Sequence, residues 1–237
     1  GMSGQWSDSV YIKTDLCNSD EIMLLMLTGD HFKQCELHLE LLYLPYARQD
    51  RQTTPCQPFS LKTMARLINS CGFKSVTVYD PHSDVTPALI DNVVVKKRGD
   101  IITGLVKGNR TGYLYALLHS DNAIIVSPDA GAMKANNEIA KAYKLPHIVA
   151  TKVRDVTTGE ITATKIHADP SEITGKDLVI LDDICDGGRT FVELAKVLHP
   201  LKPNSLHLYC TVSTTQAGRD AVNAVFDSVT FFHTLSA

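Results

Sequence analysis

Short apolar runs alternate with helix-periodic segments through most of this chain, and no other feature constrains its fold as tightly. The clearest pair is Val179-Ile180-Leu181 followed by Phe191, Leu194, Ala195 and Leu198. The first is a strand-like run. The second set falls at i, i+3, i+4 and i+7 and so lines one face of a helix. Leu61, Met64, Ala65 and Ile68 repeat that face within a helix expected over 59–68 and stopped at Gly72. Strands are expected at 9–14, 37–44 and 76–79, then at 123–126, 147–150, 177–181 and 206–212. Further helices are expected from Asn18 onward and at 131–143, 190–198 and 217–224. Strands that alternate with helices make parallel sheets covered on both faces, so the expected class is α/β. Residues 92–115 break the alternation with mixed charges and four glycines (Gly99, Gly104, Gly108, Gly112). Two domains are therefore expected, 1–95 and 96–237, each a mostly parallel sheet flanked by helices.

Composition limits what such domains bind. A net charge of −3 supplies no basic footprint for nucleic acid. No apolar run approaches the ~18–20 residues that cross a bilayer. The six cysteines (Cys17, Cys35, Cys56, Cys71, Cys185, Cys210) form no CxxC and have no His partner at zinc spacing. Reduced thiols in a cytoplasmic protein are expected from that pattern.

Open α/β sheets bind ligands beyond the carboxyl ends of their strands, and five such places in this chain carry suitable residues. Asp182 and Asp183 end the strand at 177–181, and Asp186-Gly187-Gly188-Arg189-Thr190 follows them. A strand that breaks into glycines and then opens a helix aims free backbone N–H groups outward, which suits a phosphate. The carboxylates suit sugar hydroxyls or hydrated magnesium; equally, the whole could be a solvated strand–turn–helix junction. Arg48, in Tyr46-Ala47-Arg48-Gln49-Asp50-Arg51, could grip a polyphosphate through its planar fork or lie in a solvated loop. His82 and Asp129 each follow a strand, and the latter could simply cap the next helix. Lys152 and Arg154 precede the Gly-containing turn Thr157-Thr158-Gly159-Glu160 of a β-ribbon, either as a working pair or as a solvated face.

The string Val179–Thr190 resembles the ribose-phosphate loop of the phosphoribosyltransferase superfamily, with Arg189 standing where that loop has a small residue. Tyr46–Arg51 is similar to the ATP-binding segment of the ribose-phosphate pyrophosphokinases, which ordinary phosphoribosyltransferases lack. Asp80-Pro81-His82, Ser127-Pro128-Asp129-Ala130-Gly131 and Lys152-Val153-Arg154 are similar to three further segments of that family, in the family's order. Pro81, Thr53 and Ala135 depart from it. The resemblance implies two phosphoribosyltransferase-like domains that move a diphosphoryl group from magnesium–ATP to ribose 5-phosphate. It implies ATP contacts from Arg48, Gln49, Asp50 and His82, and a Mg2+ site involving His82 and Asp129. Ribose 5-phosphate would fall to Asp182, Asp183, Asp186, Gly187, Gly188, Arg189 and Thr190, with Lys152 and Arg154 as the catalytic cations. A homo-oligomer with small-molecule substrates, and neither nucleic acid nor membrane as partner, is implied as well. Relative to that family the chain is expected to be short at both ends. A phosphoribosyltransferase that consumes phosphoribosyl pyrophosphate, or a catalytically silent regulatory homologue, are the alternatives left open.

Overall fold

The structure, a computed structural model, describes residues 9–108, 112–154 and 161–235. The chain divides into two compact units, one ending at Lys97 and the other beginning at Arg98.

The first unit runs β1 (Ser9–Thr14), α1 (Ser19–His31), β2 (Glu36–Leu41), α2 (Ser60–Ser70), β3 (Ser75–Tyr79), α3 (Val85–Leu89) and β4 (Val93–Lys96). Its four strands lie in sequence order and are parallel throughout. Asn18 starts α1 by accepting a hydrogen bond from the Glu21 N–H at 2.9 Å, which satisfies one of the orphan donors of a first helical turn. Leu37, Leu39 and Leu41 alternate inward from β2 against the buried α2 face of Leu61, Met64, Ala65 and Ile68. β2 stops at Leu41 rather than running to residue 44, because the chain turns at Pro45–Arg48 with Tyr46 at φ +62°.

The second unit opens with α4 (Arg98–Lys107), α5 (Gly112–Leu118), β5 (Ala123–Ser127), α6 (Met133–Tyr143), β6 (His147–Arg154) and β7 (Ile161–Ile166). It continues with α7 (Pro170–Ile173), β8 (Asp177–Cys185), α8 (Arg189–Leu198), a 3-10 turn at His199–Leu201, β9 (Ser205–Ser213), α9 (Gln216–Asn223) and β10 (Ser228–Thr234). The strand order is β10-β9-β8-β5-β6-β7, parallel except for the β6–β7 ribbon. All five residues of β5 are buried, as a strand covered on both faces requires. The core gathers Ile124, Val126, Leu178 and Ile180 of the central strands against Phe191, Leu194 and Leu198 of α8. From β5 the chain builds outward to β6 and β7 on one side, then returns through β8 to β9 and β10 on the other. β5 and β8 are neighbours, so the direction of winding reverses between them.

Three features depart from the periodicity. The stretch 92–115 contains β4, α4 and most of α5. The division into units falls at Lys97/Arg98, just after β4, rather than at 95/96. β8 continues four residues past 181, since β9 accompanies it as far as the Cys185–Ser213 pair. All six cysteines are unpaired. Among the described residues, no helix is long and apolar enough to cross a membrane.

Candidate active site

The reversal between β5 and β8 is where a doubly wound sheet leaves a crevice for ligands. The ladder between these strands ends at Val126–Ile180, whereas β8 goes on against β9 alone. The carbonyl of Leu181 is thereby left without a strand partner on the β5 side. Asn136 of α6 fills the gap, donating from Nδ2 to that carbonyl at 2.8 Å and to Ser127 Oγ at 3.0 Å. Arg98, 4% exposed, donates to Asn136 Oδ1 at 2.8 Å and to the same Leu181 carbonyl at 3.3 Å. Ser127 Oγ in turn lies 2.8 Å from His147 Nε2. A buried polar group needs a partner, and here each supplies the next.

Asp182 and Asp183 stand on the overhanging end of β8. The Asp182 side chain is only 14% exposed; it accepts the Asp183 backbone N–H at 2.9 Å and faces Arg98 Nη2 at 3.8 Å. Burial first, and the neighbouring Asp183 carboxyl second, push its pKa well above the ordinary carboxylate range, with Arg98 pulling the other way and Asp129 adding to the rise. Asp129 leaves β5 on the facing side and accepts the N–H groups of Gly131 (3.0 Å) and Ala132 (3.4 Å), which turns the chain into α6. These half-buried acids stand in one another's field. Hydroxyl groups and a cation both suit such acids.

Beyond Cys185 the chain turns through Asp186, Gly187 and Gly188 into α8. Gly188 sits at the helix N-cap with φ +72° and has no side chain with which to cap the first turn. The leading N–H groups of α8 are therefore presented at the crevice, as an anion site requires. The turn is pinned from α9: Thr214 Oγ1 donates to Asp186 Oδ1 at 2.8 Å, and Thr215 Oγ1 donates to the Asp186 carbonyl at 3.0 Å. Thr215 also caps α9 through the Gly218 N–H. Arg189 is exposed in the first turn of α8.

The other expected residues are placed as follows. Lys152 and Arg154 lie in β6, paired with Thr164 and Ile161 of β7 across a register shift; their side chains and the turn 155–160 lie outside the described residues. In the first unit, Arg48, Gln49 and Asp50 follow the turn after β2. Gln49 N–H donates to the Tyr46 carbonyl at 2.9 Å, and its own carbonyl accepts from Leu61 N–H at 3.2 Å, tying the segment to the start of α2. His82 is exposed in the loop after β3. β2 and β3 are adjacent and parallel, so the two loops leave the same edge of that sheet. His82 and Asp129, both expected to help organise magnesium, belong to different units. Among the described residues no group of three or more His, Cys, Asp or Glu forms a metal cage.

Arg98, Asn136, Thr214, Thr215 and Gly218 were not expected at this site. The strand-end threonines before a helix carry a readable cap signature. Nothing local marks Arg98 or Asn136.

Residues 111–233 match the family described as phosphoribosyl transferase domain, to which this chain belongs. Curated relatives include ribose-phosphate pyrophosphokinases. That of Porphyromonas gingivalis is 25% identical over 226 residues, covering 94% of this chain and 68% of the relative. That of Aquifex aeolicus is 32% identical over 194 residues (80% and 59%), and that of Ureaplasma parvum 29% over 196 residues (81% and 56%). The chain thus spans from just over half to two thirds of their length. The crystal structure of phosphoribosylpyrophosphate synthetase from Mycobacterium smegmatis shares the fold, with a TM-score of 0.71, 18% identity, and coverage of 95% of this chain and 77% of that one.

Proposed function

We propose that this chain is a ribose-phosphate diphosphokinase, which moves the β,γ-diphosphoryl group of magnesium–ATP to the anomeric hydroxyl of ribose 5-phosphate. The hydroxyl oxygen attacks the β-phosphorus, the bond from that phosphorus to the oxygen bridging the α-phosphate breaks, and AMP leaves. The hydroxyl proton is released, and the other product is phosphoribosyl pyrophosphate. The observation that carries the reading is the juxtaposition of Asp182 and Asp183 with the Asp186–Thr190 cradle at the β5–β8 switch, in a chain whose relatives bear that name.

On this reading the first turn of α8 binds the 5-phosphate, and Asp182 and Asp183 accept hydrogen bonds from the ribose hydroxyls. Arg48, Gln49, Asp50 and His82 bind ATP. Magnesium typically keeps several waters and takes ligands from substrate phosphates rather than from a protein cage. Asp129 and His82 would each help organise such magnesium, and among the described residues no cluster of three or more His, Cys, Asp or Glu stands as a cage. Magnesium held there would supply charge neutralisation to the phosphates. Lys152 and Arg154 act on the transferring group, since phosphoryl transfer is mostly positioning and electrostatics. No covalent enzyme intermediate is needed. A phosphoribosyltransferase using phosphoribosyl pyrophosphate shares the cradle but gives no role to Tyr46–Arg51. The expected cytoplasmic location and homo-oligomeric state belong to the same proposal.

The test is AMP release from magnesium–ATP with and without ribose 5-phosphate, beside a Lys152→Ala protein. Ribose-dependent AMP that is lost in the variant is the expected result. AMP formation indifferent to ribose 5-phosphate, or none at all, would reject the enzyme reading.

A further inference from the structure

We infer that Arg98 is a positioning residue of the sugar site, fixing the direction and the charge balance of Asp182 from behind β8. The inference rests on the assignment of the ribose hydroxyls to Asp182 and Asp183.

Among the described residues Arg98 is the one Lys, Arg, Asp or Glu that is fully buried. Its partners include Asn136 of α6 at 2.8 Å, the Leu181 carbonyl of β8 at 3.3 Å, and the Asp182 carboxyl at 3.8 Å. Burying a guanidinium to face a carboxyl at that separation is a poor way to stabilise a fold. Apolar replacements of buried ion pairs are often neutral or better. Nor is Arg98 needed to satisfy Leu181, whose carbonyl already accepts from Asn136 at the shorter distance of 2.8 Å. What Arg98 alone adds is a permanent cation against the inner oxygen of Asp182.

That oxygen, Oδ1, also accepts the Asp183 N–H at 2.9 Å. The carboxyl is thus held at that one oxygen by a backbone donor and by the guanidinium, beside the Asp183 carboxyl with which it shares a hydrogen bond. Three carboxyl groups (Asp129, Asp182, Asp183) act on this small region. A cation fixed behind the strand works against the burial and the Asp183 carboxyl that disfavour the charged form of Asp182, without requiring a cation at the mouth of the crevice, where it would compete with the substrate. The rigidity of Asn136, anchored to both Ser127 and Leu181, keeps the guanidinium in place.

The experiment measures binding of ribose 5-phosphate and of ATP by calorimetry to the wild-type chain, Arg98→Met, Arg98→Lys and Asp182→Asn, and to the Arg98→Met/Asp182→Asn double variant. Arg98→Met is expected to weaken ribose 5-phosphate about tenfold or more, with ATP unchanged within about twofold. Arg98→Lys restores the charge and recovers most of the loss. The double variant is expected to bind no worse than Asp182→Asn alone, because the two residues act through one contact. If Arg98→Met does not fold, Arg98→Gln, which keeps a donor for Asn136 and drops the charge, takes its place. Unchanged ribose 5-phosphate binding in the neutral variant, equal loss for both ligands, or strictly additive losses in the double variant would each overturn the inference. AMP formation is scored separately. Wild-type protein that binds ribose 5-phosphate yet makes no AMP rejects the diphosphokinase and leaves the Arg98 comparison intact, whereas wild-type protein that binds none rejects both.

Discussion

The backbone of Gly218 lies against the carbonyl of Asp186 so closely that a Cβ built at position 218 would stand 1.6 Å from that oxygen. A methyl group cannot fit there, so any larger residue must push the phosphate turn away from α9. The turn also leaves little room on its other side, where a Cβ at Gly188 would meet the Gly218 carbonyl at 3.0 Å.

Gly218→Ala is expected to lower stability by about 2–4 kcal/mol and to weaken ribose 5-phosphate binding, because the clash is with backbone that cannot rotate away. Gly104→Ala is the control. It adds its methyl to open space within α4 and is expected to be neutral or to stabilise by up to about 1 kcal/mol. Thermal melts and calorimetric titration check both.

Lys152→Ala and Arg154→Ala are each expected to lower kcat for AMP formation by about a hundredfold or more, with smaller changes in KM. The signature of a transition-state cation is a loss in kcat that substrate concentration does not rescue. Steady-state assays over both substrates read it directly.

Arg48→Lys keeps a positive charge after β2 but loses the planar fork. Its KM for ATP is expected to rise about tenfold while the KM for ribose 5-phosphate holds. Loss of affinity for both substrates alike would remove Arg48 from the nucleotide side.

The second unit is expected to lose stability as pH falls. His207 is 2% exposed, with Nδ1 2.9 Å from Ser228 Oγ and Nε2 2.7 Å from Ser205 Oγ. Burial holds its imidazole below the ordinary value, against the opposing fields of Asp227 and Asp177. Burial lowers His147 in the same direction. The unfolded chain protonates these rings near pH about 6.5, whereas the folded chain resists, so the unfolded state binds more protons in that window. Stability is therefore full above the unfolded value and declines from there towards the lower folded values. His207→Asn should be less stable at neutral pH and show a shallower decline in Tm on acidification. An equally steep decline would assign the effect to other groups.

How much of this was legible beforehand depended on whether the cause was local. The α2 and α8 faces were readable because Leu61–Ile68 and Phe191–Leu198 each carry their own period. The end of β8 was not: Asp182 and Asp183 look like the start of a loop, and what keeps them extended is β9 alongside. The stretch 92–115 hid β4, α4 and most of α5 because α4 sets Gly99, Gly104, Arg98 and Asp100 among its buried Ile101, Ile102 and Leu105, which blurs the periodicity. Arg98 was invisible for the same reason at longer range. Its partners Asn136 and Leu181 are 38 and 83 residues away in the chain, and no local pattern announces a buried guanidinium.

Because β8 outruns β5, its last residues hang like a shelf bracketed from one side. Cys210, Val212 and Ser213 of β9, paired with Asp182, Ile184 and Cys185, form that bracket, although they are themselves buried. Their heights and spacings set how far the acids project over the crevice. Someone wishing to retune what the crevice accepts would therefore do as well to work on the interior of β9 as on the carboxylates themselves, and a change there would leave little mark on the surface.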